Sequence, residues 1–204
     1  MIEVADAGGL WTVTLCRPEK ANALTGAMLH ALADAVERAA AAQARALILT
    51  GAGQVFSAGA DLDEARAGLA TDPVWETLST SIAAFPGLTI AALNGTVAGG
   101  AMGMALACDL RLAVPEATVF YPVMRFGFLW QPSDPARLAA LIGPARARLI
   151  LMAGARATAP EALPWGLIDC ILPSEALLPA AAALAADALS ATPAHVAAIR
   201  RLIP

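Results

Sequence analysis

The chain has 204 residues, a net charge of −4 and a pI near 5.1, with 58% hydrophobic and only 15% charged residues. That length suits one domain with a sizeable core, residues 1–204, its core to about residue 135 and a mainly helical remainder. The acidic balance excludes the basic face of a nucleic-acid binder. Three cysteines, Cys16, Cys108 and Cys170, lie far apart in apolar runs, which fits buried thiols of a cytoplasmic protein and not a disulfide framework or metal site.

In chain order, residues 2–5 and 10–15 read as strands around the Gly8-Gly9 turn. Thr25 is a candidate N-cap for an amphipathic helix to about residue 42, with Met28, Leu29, Leu32, Val36 and Ala39 on its apolar stripe. Residues 45–50 read as a buried strand closed by Gly51-Ala-Gly53. Residues 55–61 then lead into helical sequence, and a second helix follows over about 73–85. The uncharged run 88–108 is long enough to cross a membrane. Asn94-Gly95 and Gly99-Gly100 interrupt it, so it reads as a buried strand, 88–93, and a buried helix, 101–108. Strands are expected at 110–114, 118–121 and 170–172. Helices are expected at 136–142, 144–152, 160–165, 175–189 and 193–202. Short apolar strands alternating with helices argue an α/β fold with a buried sheet. A doubly wound nucleotide fold would put glycines in the loop after the first strands. That loop reads Arg17-Pro-Glu-Lys-Ala-Asn22, with none.

Three segments share an order and spacing. They are Arg17-Pro-Glu-Lys-Ala-Asn-Ala-Leu24, then Leu47-Ile-Leu-Thr-Gly-Ala-Gly53 running into Phe56-Ser-Ala-Gly-Ala-Asp-Leu62, then Ile90-Ala-Ala-Leu-Asn-Gly-Thr-Val-Ala-Gly-Gly-Ala-Met-Gly103 closing at Cys108-Asp109. Together they resemble the crotonase (enoyl-CoA hydratase/isomerase) superfamily over essentially the whole chain. The resemblance implies a spiral of ββα turns and an acyl-CoA thioester as ligand, with coenzyme A entering as part of the substrate. It places an oxyanion hole at the backbone N–H groups of Ala60 and Gly100, where fixed donors stabilise a developing enolate oxygen. It runs the CoA along Lys20, Ala21, Ala23 and Leu24, then Ala58, Ala60, Asp61 and Leu62, with Gly100 opposite. Arg17 and Lys20 are candidates for phosphate contacts or plain loop charges, and Asp61 reads as a helix cap.

The resemblance also marks departures. The positions of the two glutamates that hydratases of this family use hold Gly103 and Val123, neither of which can move a proton. Simple hydration is therefore not expected. Replacement groups are sought among Tyr121, Arg125, Gln131 and Asp134, although Asp134 before Pro135 also reads as a helix N-cap. Asp63 and Glu64 read as first-turn carboxylates or spare acids. Phe128 and Trp130 read as core, or as walls of an acyl pocket. His30 and His195 read as surface or packing residues. The family usually continues past the segment like 192–202, so a CoA pocket that is more open, completed by a neighbouring subunit, or incomplete is implied. A trimer or hexamer is expected, its contacts supplied by Leu177, Leu178, Ala181, Leu184 and Leu189. Two functions stand side by side: an acyl-CoA lyase, isomerase, decarboxylase or hydrolase working through an oxyanion, and a non-catalytic CoA-binding or subunit-partner protein.

Overall fold

The computed structural model describes residues 1–127, 129 and 131–203. Strands β1 (Ile2–Ala7) and β2 (Leu10–Leu15) form a hairpin, and α1 (Gly26–Ala41) follows a 3₁₀ turn at Pro18–Lys20. Next come β3 (Ala46–Gly51), β4 (Val55–Ser57), α2 (Leu62–Arg66) and α3 (Val74–Ala83). A second turn of the spiral holds β5 (Leu88–Leu93), β6 (Thr96–Ala98) and α4 (Ala101–Ala107), and a third holds β7 (Leu110–Ala113), β8 (Thr118–Phe120), α5 (Val123–Phe126) and α6 (Asp134–Leu151). The chain continues through β9 (Ala157–Thr158), α7 (Ala159–Trp165), β10 (Cys170–Ile171), α8 (Ser174–Leu184), α9 (Ala186–Ser190) and α10 (Pro193–Leu202).

The strands divide between two sheets, ordered β1-β2-β3-β5-β7-β10 and β4-β6-β8-β9. Each turn hands one strand to the first sheet and the next to the second: β3 with β4, β5 with β6, β7 with β8. Apart from the β1–β2 hairpin and the β8–β9 pair, the ladders are parallel. Parallel strands covered on both faces need side chains that are apolar throughout. Ala46, Leu47, Ile48 and Leu49 of β3 and Ile90, Ala91, Ala92 and Leu93 of β5 are all buried. Alanine is what lets the layers approach: Ala35 and Ala39 of α1 and Ala101 of α4 are fully covered. Helices α2, α4 and α5 follow β4, β6 and β8, which run parallel, so those three strands end at the same edge of the second sheet.

Thr25 caps α1 by accepting the Met28 N–H at 3.2 Å. The run 88–108 is β5, β6 and α4, folded among buried neighbours. Among the described residues no single helix is long and apolar enough to cross a membrane; one pair, bent by 106° between Ser174–Ser190 and Pro193–Leu202, meets the length and composition alone. The expected helix over 175–189 is two helices, divided at Ala185. Residues 134–151 run together across a kink at Gly143, whose φ of 78° no helix interior adopts. The C-terminal segment is hooked to the core by two arginines. Arg45 donates to the Leu189 and Ala191 carbonyls at 2.6 and 3.3 Å, and Arg200 to those of Ala83 and Gly87 at 2.9 and 3.0 Å. Leu177 and Ala181, expected to need another subunit, are covered by their own chain, while Leu178 and Leu184 stay exposed.

Candidate active site

The first wall of the site is made by loops stapled together through their backbones. Asn22 is fully buried; its Oδ1 accepts the Arg17 N–H at 2.8 Å and its Nδ2 donates to the carbonyls of Ala52 and Val55 at 2.9 and 2.7 Å. The Ser57 hydroxyl donates to the Asn22 carbonyl at 2.8 Å. Leu24 then donates to the Gly59 carbonyl at 2.7 Å and accepts the Asp61 N–H at 2.8 Å. In extended chain, successive peptide groups face opposite sides. Pairing Leu24 with the neighbours of Ala60 therefore turns the N–H of Ala60 away from Leu24, and it has no acceptor among the described residues. Gly59 is required beside it: φ is +94°, and a Cβ would stand 2.8 Å from the Ala98 carbonyl oxygen.

The second wall is the entrance to α4. Gly100 occupies its N-cap position, and the Gly100 N–H also has no acceptor among the described residues. A Cβ there would lie 2.9–3.1 Å from the indole of Trp75. That ring is held in place by a 2.8 Å bond from its Nε1 to the Leu69 carbonyl. Ala60 and Gly100 line one cavity of about 230 Å³, whose sides are largely apolar: Ala58, Leu62 and Ala65 on one flank, Trp75 behind, Pro122, Phe126 and Leu129 on the other. Arg66, Tyr121 and Gln131 are its polar members. A larger depression of about 590 Å³ runs along the outer face of α1, by Asp34, Glu37 and Arg38, but it is an open surface groove with no such pair of amides.

Behind the cavity lies a buried polar cluster. The Tyr121 hydroxyl donates to Asp134 Oδ2 at 3.0 Å. Asp134 is completely covered, and its Oδ1 makes no hydrogen bond; the nearest cation, Arg137 Nη1, is 4.0 Å away. Burial pushes the Asp134 carboxyl up to about 6, against the lowering effect of the Tyr121 hydrogen bond and Arg137. Burial and the adjoining carboxylate push the Tyr121 phenol far above its ordinary range. Glu76 of α3 faces the same cluster. Burial raises its carboxyl, but bonds from the Ser133 hydroxyl and N–H outweigh this and hold it low. Position 103 explains how the acid fits: a Cβ on Gly103 would stand 2.9 Å from Asp134 Oδ1 and 3.2 Å from Oδ2.

Of the residues the sequence points to, Ala58, Ala60, Leu62, Gly100, Tyr121 and Gln131 meet at the cavity. Lys20, Ala21, Ala23, Leu24 and Asp61 do not line it. The Leu24 side chain is fully buried, so only its backbone was ever available. Lys20 is exposed on the 3₁₀ turn. Arg17 is committed to structure, donating to Asp61 Oδ2 at 2.8 Å and to the Ala23 carbonyl at 3.0 Å. Asp61 caps α2 by accepting the N–H groups of Asp63 and Glu64, and its partner Arg17 holds its carboxyl below the usual range. Glu64 accepts the Gly26 N–H at 2.7 Å and Asp63 pairs with Arg66 on the surface, so neither serves the cavity. The cap expected at Asp134 is absent: Ser133 holds the N-cap position, and the Asp134 side chain turns inward to Tyr121. His30, His195 and Arg125 are exposed. Phe128 and Trp130 lie outside the described residues. Trp75, Arg66 and Phe126 were not anticipated, because nothing in the local pattern of α2, α3 or α5 says which face meets the cavity.

The fold and site define a spiral ββα protein with a cavity lined by residues of all three of its turns. The sequence model of the enoyl-CoA hydratase/isomerase family matches residues 6–203. A probable enoyl-CoA hydratase of Mycobacterium leprae is 36% identical over 176 residues, covering 84% of this chain and 71% of that protein. The 4-chlorobenzoyl coenzyme A dehalogenase-1 of an Arthrobacter species is 32% identical over 205 residues, covering 96% of this chain and 74% of that enzyme. The crystal structure of an enoyl-CoA hydratase/isomerase from Pseudoalteromonas atlantica superimposes with a TM-score of 0.91 at 29% identity, covering 99% of this chain and 82% of that one. The chain belongs to the enoyl-CoA hydratase/isomerase family.

Proposed function

We propose that this protein binds an acyl-CoA thioester with the thioester carbonyl between the Ala60 and Gly100 amides, and that it works on an enolate or related oxyanion. The observation that carries this is the pair of unbonded backbone N–H groups on one largely apolar cavity. Fixed donors in a dry site stabilise charge as it develops, without reorganisation. Coenzyme A belongs to the substrate and no separate cofactor is invoked. Arg66, which lines the cavity, and Lys20, exposed on the 3₁₀ turn, are the cations proposed to meet its phosphates. Names among the relatives support acyl-CoA chemistry in the family at large, and they span more than one reaction.

Water addition to a simple enoyl-CoA is not the proposed reaction, because the resemblance sets Gly103 and Val123, neither able to move a proton, at the positions of the hydratase glutamates. Titration with acetoacetyl-CoA, an enolisable thioester, is expected to saturate, while crotonyl-CoA hydration stays far below about 1 s⁻¹. Failure of acetoacetyl-CoA to bind overturns the site. Hydration at an enzyme's ordinary rate overturns the reading of positions 103 and 123.

A further inference from the structure

We propose that Tyr121 and Asp134 are a proton-transfer pair serving the cavity, the carboxylate seated over the bare Cα of Gly103; this rests on the thioester reading above. Three geometric facts lead there. Tyr121 lines the cavity and donates to Asp134 at 3.0 Å. Asp134 Oδ1 is completely buried with no hydrogen bond, whereas a purely structural carboxylate in such a place normally has both oxygens engaged. And a Cβ at 103 would stand 2.9 Å from Asp134 Oδ1, so the carboxylate keeps its present place because residue 103 is a glycine.

The charged groups around Asp134 set its readiness. Glu76 faces it from α3 and repels its ionised form; Arg137, on its own helix, attracts it at 4.0 Å; α4 presents no ionisable side chain, and the phenol of Tyr121 closes the remaining side. The balance leaves a base that accepts a proton near neutral pH, the useful range for general acid–base work. Tyr121 alone cannot be that base, since its phenolate is strongly disfavoured there.

The step is a paired transfer. The α-carbon–hydrogen bond of the thioester breaks, and its electrons form the enolate, whose oxygen lies on the Ala60 and Gly100 N–H groups. The released proton bonds to the Tyr121 oxygen while the original phenolic proton passes to Asp134 Oδ2. Reversal returns a proton to carbon, on the same atom or another, and no oxidant or further reactant is needed.

The test is hydrogen–deuterium exchange at the α-carbon of butyryl-CoA in D₂O, followed by NMR, beside butyryl-CoA affinity measured by calorimetry. Wild-type protein is expected to catalyse exchange with a rate that rises with pH and levels above an inflection near 6. Tyr121→Phe and Asp134→Asn are each expected to slow exchange about 100-fold or more with unchanged affinity. Gly103→Ala keeps every functional group yet moves the carboxylate, so it is expected to slow exchange as well. Should Asp134→Asn not fold, Tyr121→Phe and Gly103→Ala carry the decision. Exchange by Asp134→Asn or Tyr121→Phe at the wild-type rate, or a flat pH profile, overturns the pair. Butyryl-CoA that binds wild type without exchanging also overturns it and leaves the amide site standing. Absence of binding removes both.

Discussion

The two sides of the cavity are built by different means. The side formed by residues 17–24, 57–62 and 99–103 is a backbone device. Its groups are peptide N–H donors, and its side chains, Asn22, Ser57 and Asp61, act as staples that fix where those donors aim. The side formed by residues 121–137 is a side-chain device in which Tyr121, Asp134, Ser133, Arg137 and the distant Glu76 fix one another. Backbone sites demand particular residues at particular spacings, because only certain φ values and close approaches build them. Side-chain sites demand only that a group of the right chemistry arrive from somewhere.

That difference sets out how to break each side. The largest effect is expected at Gly100. A valine there would press on the Trp75 ring and push the amide out of line, and thioester turnover should fall by about 100-fold or more. Steady-state kinetics checks this, with Gly100→Ala intermediate. Next is Asn22→Ala, which strips three buried hydrogen bonds and leaves an alanine at a φ of 51°. A loss of about 2–4 kcal/mol in urea denaturation is expected, with acyl-CoA affinity lost alongside because Ala60 is no longer aimed.

On the other side the sign reverses. The folded-state pKa of Asp134 is raised to about 6, so ionising it costs the native state. Its contribution is most favourable below the unfolded value of roughly 4, and it declines as pH climbs toward 6. Asp134→Asn is therefore expected to stabilise the protein at pH 8 by up to about 2 kcal/mol, at roughly 1.4 kcal/mol per pKa unit less the cost of an imperfectly bonded amide. The gain should vanish near pH 4, as thermal melts across pH will show. A gain over wild type no larger at pH 8 than at pH 4 contradicts the burial of an ionisable acid there. The smallest effect concerns Cys108, whose thiol burial pushes up to about 12. Thiol labelling of the native protein at pH 8 should leave it unmodified.

The same contrast explains what the sequence could disclose. The strand and helix order and the Thr25 cap follow from glycines, caps and apolar runs whose meaning is local, whereas the donors at Ala60 and Gly100 were placed by the family resemblance alone. Asp134 did not yield to that reading. A carboxylate before a proline looks like a cap, and its inward turn depends on Gly103, far away in sequence, leaving room. Arg17 looked like a ligand for phosphate because its partner Asp61 is brought to it only by the fold. Trp75 and Arg66 carry no local mark of the cavity they line. The apolar faces of α8 looked unpartnered because the turn that lays Leu177 and Ala181 against β5 and β7 is tertiary. Assembly as a trimer or hexamer remains part of the proposal, carried by Leu178 and Leu184 on the outside; light scattering would show a multiple of 20.7 kDa.

The most direct test of the central claim is the infrared difference spectrum of an acyl-CoA labelled with ¹³C at the thioester carbonyl, bound to the protein. If the Ala60 and Gly100 amides both hold that oxygen, the carbonyl stretch moves to lower wavenumber on binding and returns toward its free position in Gly100→Ala. A bound thioester whose carbonyl stretch stays where it lies in water would contradict the account, whatever reaction the protein goes on to perform.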